Sequence, residues 1–175
     1  MDSIYDETEK HKQTPGFTLV EVVVSMLIVS VMLVAALNIV GGSRLSQFKT
    51  SQSSRGQALA EALMVEILRQ SYADSQYGPG SFGLGPDEVG DGSRSLWEDV
   101  DDYDGWSASP PEQKDGTQIA NFSGWQRSVN VAWIDPMNPS QVEDSESNAK
   151  RVTVTVTYGG APVASLIAIR TAWEK

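Results

Sequence analysis

The side chains able to do chemistry are few and unevenly spread along these 175 residues. The one histidine is His11, and there is no cysteine. Beyond the first residues that excludes a histidine-assisted nucleophile, a disulfide framework and a His/Cys metal site. Carboxylates, Ser, Lys and Tyr remain. The carboxylates gather in one stretch, where Asp87, Glu88, Asp91, Glu98, Asp99, Asp101, Asp102 and Asp104 stand against Arg94 alone. Two acids flanking a bond can hydrolyse a glycoside. Here so many fall together that no pair stands out, and no catalytic signature is matched, so the chain is read as not an enzyme.

Oxygen-rich clusters also suit calcium. With Asp87 at the first position of a calcium loop, Asp91 falls fifth, Gly92 sixth, Ser95 ninth and Glu98 twelfth, the positions that call for ligands and a glycine. Val89 occupies the third ligand position, and no helix flanks the loop, so an EF-hand is not formed. Asp87, Asp91 and Glu98 are thus the calcium candidates, set against a preferred reading of a plain, solvated acidic loop whose like charges repel. No other cofactor is expected. Trp97, Tyr103 and Trp106 lie among the acids and should pin the segment to the domain by their rings.

Glu21 is a carboxylate of another kind, the only ionisable side chain between Phe17 and Val40. Twenty-four residues of helix extend roughly 36 Å, enough to cross a bilayer. A buried core helix is the poorer explanation, because no polar stripe interrupts the block. A secretory signal peptide cut near Val34-Ala35-Ala36 fits poorly too. The apolar run is too long, four acids precede it, and Glu21 lies inside it. A carboxylate in hydrocarbon is costly and by default functional. The mean hydropathy of −0.26 conceals this block by averaging it with a polar remainder. The net charge of −10 argues against direct binding to nucleic acid, whose phosphates demand cations.

The run Lys10-His11-Lys12-Gln13-Thr14-Pro15-Gly16-Phe17-Thr18-Leu19-Val20-Glu21 resembles the processing site of type IV pilins and of the pseudopilins of type II secretion. A polar leader ends in Gly, then Phe, Thr-Leu and a Glu open a long apolar helix. The resemblance implies that an inner-membrane prepilin peptidase cleaves Gly16-Phe17 and methylates the new amino terminus at Phe17. It further implies that Glu21 neutralises the amino group of Phe17 on a neighbouring subunit during assembly. Gly16 lets a protease approach the backbone, and Pro15 keeps the preceding residue extended. The leader departs from the family in its acids, Asp2, Asp6, Glu7 and Glu9, although Lys10 and Lys12 still favour a cytoplasmic amino terminus. The stretch Asp99-Val100-Asp101-Asp102-Tyr103-Asp104-Gly105 also resembles a segment of minor pilins of the mannose-sensitive haemagglutinin group. Major pseudopilins hold calcium in a loop near the carboxyl terminus, so none of their ligands transfers to residues 87–104.

The remaining elements follow from periodicity. Gly41-Gly42 should loosen the helix, which resumes from about Ser43 to Tyr72 with Leu45, Phe48, Leu59, Ala62, Leu63 and Ile67 on one face. Ser, Thr and Gly between Thr50 and Gly56 suggest local melting. Trp125 to Ile134 alternates, with Val129, Val131 and Trp133 on one side, and Arg151 to Tyr158 alternates Val with Thr. Gly159-Gly160 reads as a hairpin turn, and Val163, Ile167, Ile169 and Trp173 as a third apolar face. Residues 136–150 read as an exposed loop. Trp125, Trp133 and Trp173 are assigned to the core.

The expected fold is α+β and pilin-like: a long amino-terminal helix, membrane-spanning in its first half, packed on a carboxyl-terminal antiparallel sheet of three or more strands. The expected divisions are a cleaved leader at 1–16, the transmembrane half-helix at 17–40, an amphipathic half at 41–76, an acidic Gly/Pro-rich region at 77–124 and the sheet at 125–175. What the resemblance implies is a subunit, minor rather than major, of a type IV pilus or type II secretion pseudopilus. Its partners would be prepilin peptidase, other pilin or pseudopilin subunits, an inner-membrane assembly platform with its cytoplasmic ATPase, and membrane lipid. It would cross the inner membrane once, with its amino terminus cytoplasmic and its outer domain periplasmic or extracellular. The competing reading is a single-pass membrane protein that never polymerises and carries an acidic, calcium-binding periplasmic domain.

Overall fold

The computed structural model describes residues 16–90 and 92–172, leaving aside the side chains of 41–43 and 45. The leader before Gly16, Asp91 and Trp173 lie outside the described residues. The chain forms two units, Met1–Ser46 and Gln47–Lys175.

Helix α1 spans Leu19–Leu68. In the first unit its candidate membrane span is Leu19–Val40, none of whose length is covered by protein. An apolar surface of that extent is stable only where something other than water surrounds it. Backbone helicity continues through Gly41-Gly42 and through Thr50–Gly56, so the local melting expected at 50–56 is not present. Gly56 serves another purpose. It is buried, and a Cβ placed there would stand 2.8 Å from Val163 Cγ2 and 3.4 Å from the Trp125 ring, so its missing side chain lets the helix backbone approach the sheet.

In the second unit the helix buries Leu59, Ala60, Leu63, Met64 and Ile67. Three of these positions match the expected stripe, but Phe48 is 57% exposed and Ala62 also faces solvent. The helix ends at Leu68, four residues short of Tyr72, which is itself buried and donates its hydroxyl to Glu146 Oε1 at 2.6 Å.

Residues 77–124 are irregular, as the Gly, Pro and Asp content dictates. Within them lie a single 3-10 turn at Asp101–Tyr103 and a two-residue strand, β1, at Ser107–Ala108. Strands β2 (Trp125–Asp135), β3 (Asn138–Val142), β4 (Ala149–Tyr158) and β5 (Ala161–Thr171) complete an antiparallel sheet of order β1-β2-β4-β5, with β3 paired to β2. Strand β3 runs through the segment expected to be a loop. All five of its residues are exposed, so it carries no apolar period by which to be recognised.

Strand β4 alternates as expected, Val152, Val154 and Val156 being fully buried. It turns into β5 through Gly159 and Gly160, whose φ angles of 57° and 82° suit a tight hairpin. On β5 the expected face is wrong beyond its first residue. The β4–β5 register slips between Val156 and Thr157, opposite Ala164 and Pro162, leaving Val163 as an extra residue. Such a bulge reverses the side on which every later residue falls. Val163, Ala164, Leu166 and Ala168 therefore pack on the core, and Ile167 and Ile169 face outward. Trp125 is buried, while Trp133 is half-buried with its ring edge-on to Phe82 at 4.8 Å between centroids.

Candidate functional site

The residues singled out for processing lie at the mouth of α1. Gly16, Phe17 and Thr18 precede the first helical residue, Leu19, and among the described residues nothing beyond its chain neighbours lies within 4 Å of a Cβ placed on Gly16. Phe17 is 83% exposed. Thr18 caps the helix: its Oγ1 accepts the backbone N–H of Glu21 at 3.3 Å, and its carbonyl accepts the N–H of Val22 at 3.2 Å. Threonine three residues before glutamate is the sequence signature of a capping box. That signature lies in Thr18-Leu19-Val20-Glu21, and it gives Thr18 a structural duty. The arrangement also places the Glu21 carboxylate in the first turn, where the exposed N–H groups of a helix favour negative charge. The segment thus offers an accessible, non-helical peptide at 16–18 directly followed by a helix start bearing one acid.

The acidic stretch is built quite differently from a solvated loop, and that expectation is corrected here. Glu88, Asp99, Asp101 and Asp102 are each no more than 2% exposed. Burial requires that their oxygens be paired, and the backbone supplies most partners. Asp99 Oδ1 accepts the N–H groups of Asp101 and Asp102 at 2.8 and 3.3 Å, while Asp102 Oδ2 accepts those of Glu98 and Asp99 at 2.9 and 3.0 Å. The two aspartates cap each other's turn, which is why the 3-10 turn forms there. Asp101 accepts the Gly83 N–H at 3.1 Å and is ion-paired with Lys150. Lys150, expected in an exposed loop, is wholly buried; its Nζ also donates to the Tyr72 carbonyl at 2.6 Å and sits 4.4 Å from the centre of the Tyr72 ring.

The electrostatics follow from this crowding. Burial, reinforced by the neighbouring Asp101, pushes the Asp99 carboxyl up to about 8. Burial also raises Asp102, to about 7, with Glu88 beside it adding to the effect and the backbone N–H groups opposing it. Tyr103 is pushed upward by burial and by the charge of Glu66. Glu66 in turn holds Arg94, with Nε to Oε1 at 2.9 Å, and accepts the Tyr103 hydroxyl at 3.1 Å. The Arg94 guanidinium lies 4.1 Å from the centre of the Trp106 ring. Arg127, on the buried face of β2, donates to the Leu59 and Glu112 carbonyls, and burial lowers it to about 10.

These ties attach the acidic stretch to α1 and to the sheet, as the interleaved rings foretold. Trp97 and Tyr103 are buried and meet edge-on at 4.8 Å. Of the calcium candidates, Asp87 and Glu98 are exposed and Asp91 lies outside the described residues. Among the described residues no group of three or more His, Asp or Glu side chains is arranged to hold a metal ion. Sequence reasoning passed over Arg127 and Lys150 because a cation in an alternating strand reads as solvent-facing. Only the buried parity of Arg127 with Trp125, Val129 and Val131 marked it.

Residues 12–37 match the family of the prokaryotic N-terminal methylation motif. The chain accordingly carries the prepilin-type signal of type IV pilins and pseudopilins, and its fold is α+β and pilin-like. Proteins with this signal are structural rather than enzymatic, and the signal implies processing by prepilin peptidase and assembly with other pilin subunits. Signal and apolar helix together fit a single-pass protein of the inner membrane. No curated protein and no solved structure matches the chain at a significant level.

Proposed function

We propose that this chain is a precursor of a filament subunit, cleaved at Gly16-Phe17, methylated on Phe17, and built as a minor component into a type IV pilus or a type II secretion pseudopilus. The observation that carries the reading is the methylation motif at residues 12–37 ending in an uncovered apolar helix whose one acid is Glu21. Gly16-Phe17 lies outside the helix, as a scissile bond must, because a protease binds extended peptide. Glu21 faces a solvation problem in hydrocarbon that a positive partner would relieve. The free amino group that cleavage creates on Phe17 of a neighbouring copy is a cation of the right kind. Pairing the two fixes the axial register of adjacent helices, and an assembly platform with its ATPase would supply the work of extraction from the membrane. The leader would remain on the cytoplasmic side and the second unit on the outer side.

Intact mass of the protein purified from membranes tests the first step: the expected species lacks residues 1–16 and carries one extra methyl group, and a retained leader would end the reading. Glu21→Val tests the second. Cleavage and methylation should persist, while incorporation into filaments should fall by about tenfold or more, the cost of leaving one charge unpaired in a low-dielectric setting. Undiminished incorporation would remove Glu21 from assembly.

A further inference from the structure

We propose that Glu88 and Asp102 form a proton-dependent latch, in which one proton held between Asp102 Oδ1 and Glu88 Oε1 fastens the turn at residues 85–88 to the 3-10 turn and is released as the surroundings become alkaline. The oxygens of the two side chains carry the argument. Both side chains are 2% exposed. One oxygen of each is already engaged: Glu88 Oε2 accepts the Gly85 N–H at 2.7 Å, and Asp102 Oδ2 accepts the Glu98 and Asp99 N–H groups at 2.9 and 3.0 Å. The other two, Glu88 Oε1 and Asp102 Oδ1, are buried and receive no hydrogen bond among the described residues. Two orphaned acceptors in an interior are costly, and here the two carboxyl groups lie within hydrogen-bond reach of each other. A protonated carboxyl is a donor. One proton on Asp102 therefore turns two repelling anions into a charge-assisted O–H···O bond that satisfies both oxygens at once.

The surrounding groups leave the proton as the source of relief. Lys150 is engaged by Asp101 and the Tyr72 carbonyl, and Arg94 by Glu66. The hydroxyls of Tyr72 and Tyr103 are donated to Glu146 and Glu66. Asp99 and Asp101, on the same turn as Asp102, are acids themselves, and Glu98 is exposed. The latch matters because the 85–88 turn otherwise closes on itself, with the Gly85 N–H on Glu88 and the Glu88 N–H on the Gly85 carbonyl at 3.1 Å. Leu84 and Val89 on either side of it are 45% and 69% exposed, so apolar packing holds it poorly. Burial, with Glu88 alongside, raises Asp102 to about 7, which sets the change near neutrality. Below that value the proton is bound and the latch closed. Above it both groups are anionic, and like charge drives the turn away from Asp102.

The test is amide hydrogen exchange of the full-length protein in detergent micelles, read by mass spectrometry on peptides covering residues 84–90 and, in β4, residues 150–158. Rates are corrected for the intrinsic effect of pH on exchange. Protection over 84–90 should fall about tenfold from pH 6 to pH 8 as the proton leaves. At pH 8 the β4 peptide should remain at least about tenfold better protected, because the opening is local. The amide introduced by Glu88→Gln donates to Asp102 Oδ1 without a titrating proton and still accepts the Gly85 N–H, so its 84–90 protection should stay level over the same interval. Glu88→Ala, with no group to latch, should already show the low protection at pH 6. Level protection in the parent would overturn the proposal. So would an equal fall in Glu88→Gln, parent-like protection in Glu88→Ala at pH 6, or 84–90 and β4 equally protected at pH 8, which would make the opening global.

Discussion

Asp99 and Asp102 hold their protons in a way that makes the fold sensitive to pH. An aspartate in the unfolded chain titrates near 3.9, whereas burial raises these two to about 8 and about 7. Between those limits the folded chain keeps protons that the unfolded chain releases. Stability is then fully present below about pH 4 and is lost as pH rises through the folded values. The Tm followed by tryptophan fluorescence should fall from about pH 5 to about pH 8, and Asp102→Asn, which keeps an oxygen for the Glu98 and Asp99 N–H groups, should flatten the fall. A parent Tm that stays level over this interval would contradict the assignment. At this scale the sequence was legible where a residue was out of place in its surroundings, as Glu21 is in an uncharged run. It was illegible where depth mattered. Asp101 is indistinguishable in sequence from Asp87, because its partners Lys150 and Gly83 are brought in only by the fold.

The elements show where periodicity suffices and where it misleads. Val152, Val154 and Val156 alternate with threonines over an unbroken ladder, so the pattern gave the buried face directly. On β5 the same logic failed after one residue, because a bulge is a property of pairing and leaves no mark in Val163-Ala164-Ser165. Gly56 is the corresponding case on α1, where a residue that reads as a weak point is a close contact. Replacing it with alanine should raise helix propensity by about 1 kcal/mol, but the added methyl would meet Val163 Cγ2. Overpacking of this kind costs about 1–3 kcal/mol, so we expect Gly56→Ala to lower the Tm despite the better helix former. A raised Tm would show that the helix and β5 can part without loss.

For the whole molecule, the division into two units separates two kinds of problem. The first unit exposes apolar surface that a membrane or neighbouring helices must cover, and the methylation motif lies in it. The second solves its own burial, with a single core joining α1, the acidic stretch and the sheet. The four tryptophans among the described residues, at positions 97, 106, 125 and 133, belong to this second unit, so their fluorescence reports its state whatever happens to the membrane segment. The acidity concentrated at residues 87–104 is likewise an interior property in good part, and surface charge cannot be inferred from it.

Lys150 gives that interior a chemical handle. An amine that is fully covered and held by Asp101 and the Tyr72 carbonyl is closed to acylating reagents, while Lys49 on the helix surface is open to them. In the native protein an N-hydroxysuccinimide ester should label Lys49 at once and Lys150 only in molecules whose acidic stretch has come away from β4. Mass spectrometry of the Lys150 peptide against time would therefore count opening events at a single atom, and immediate labelling would mean that the amine is not enclosed.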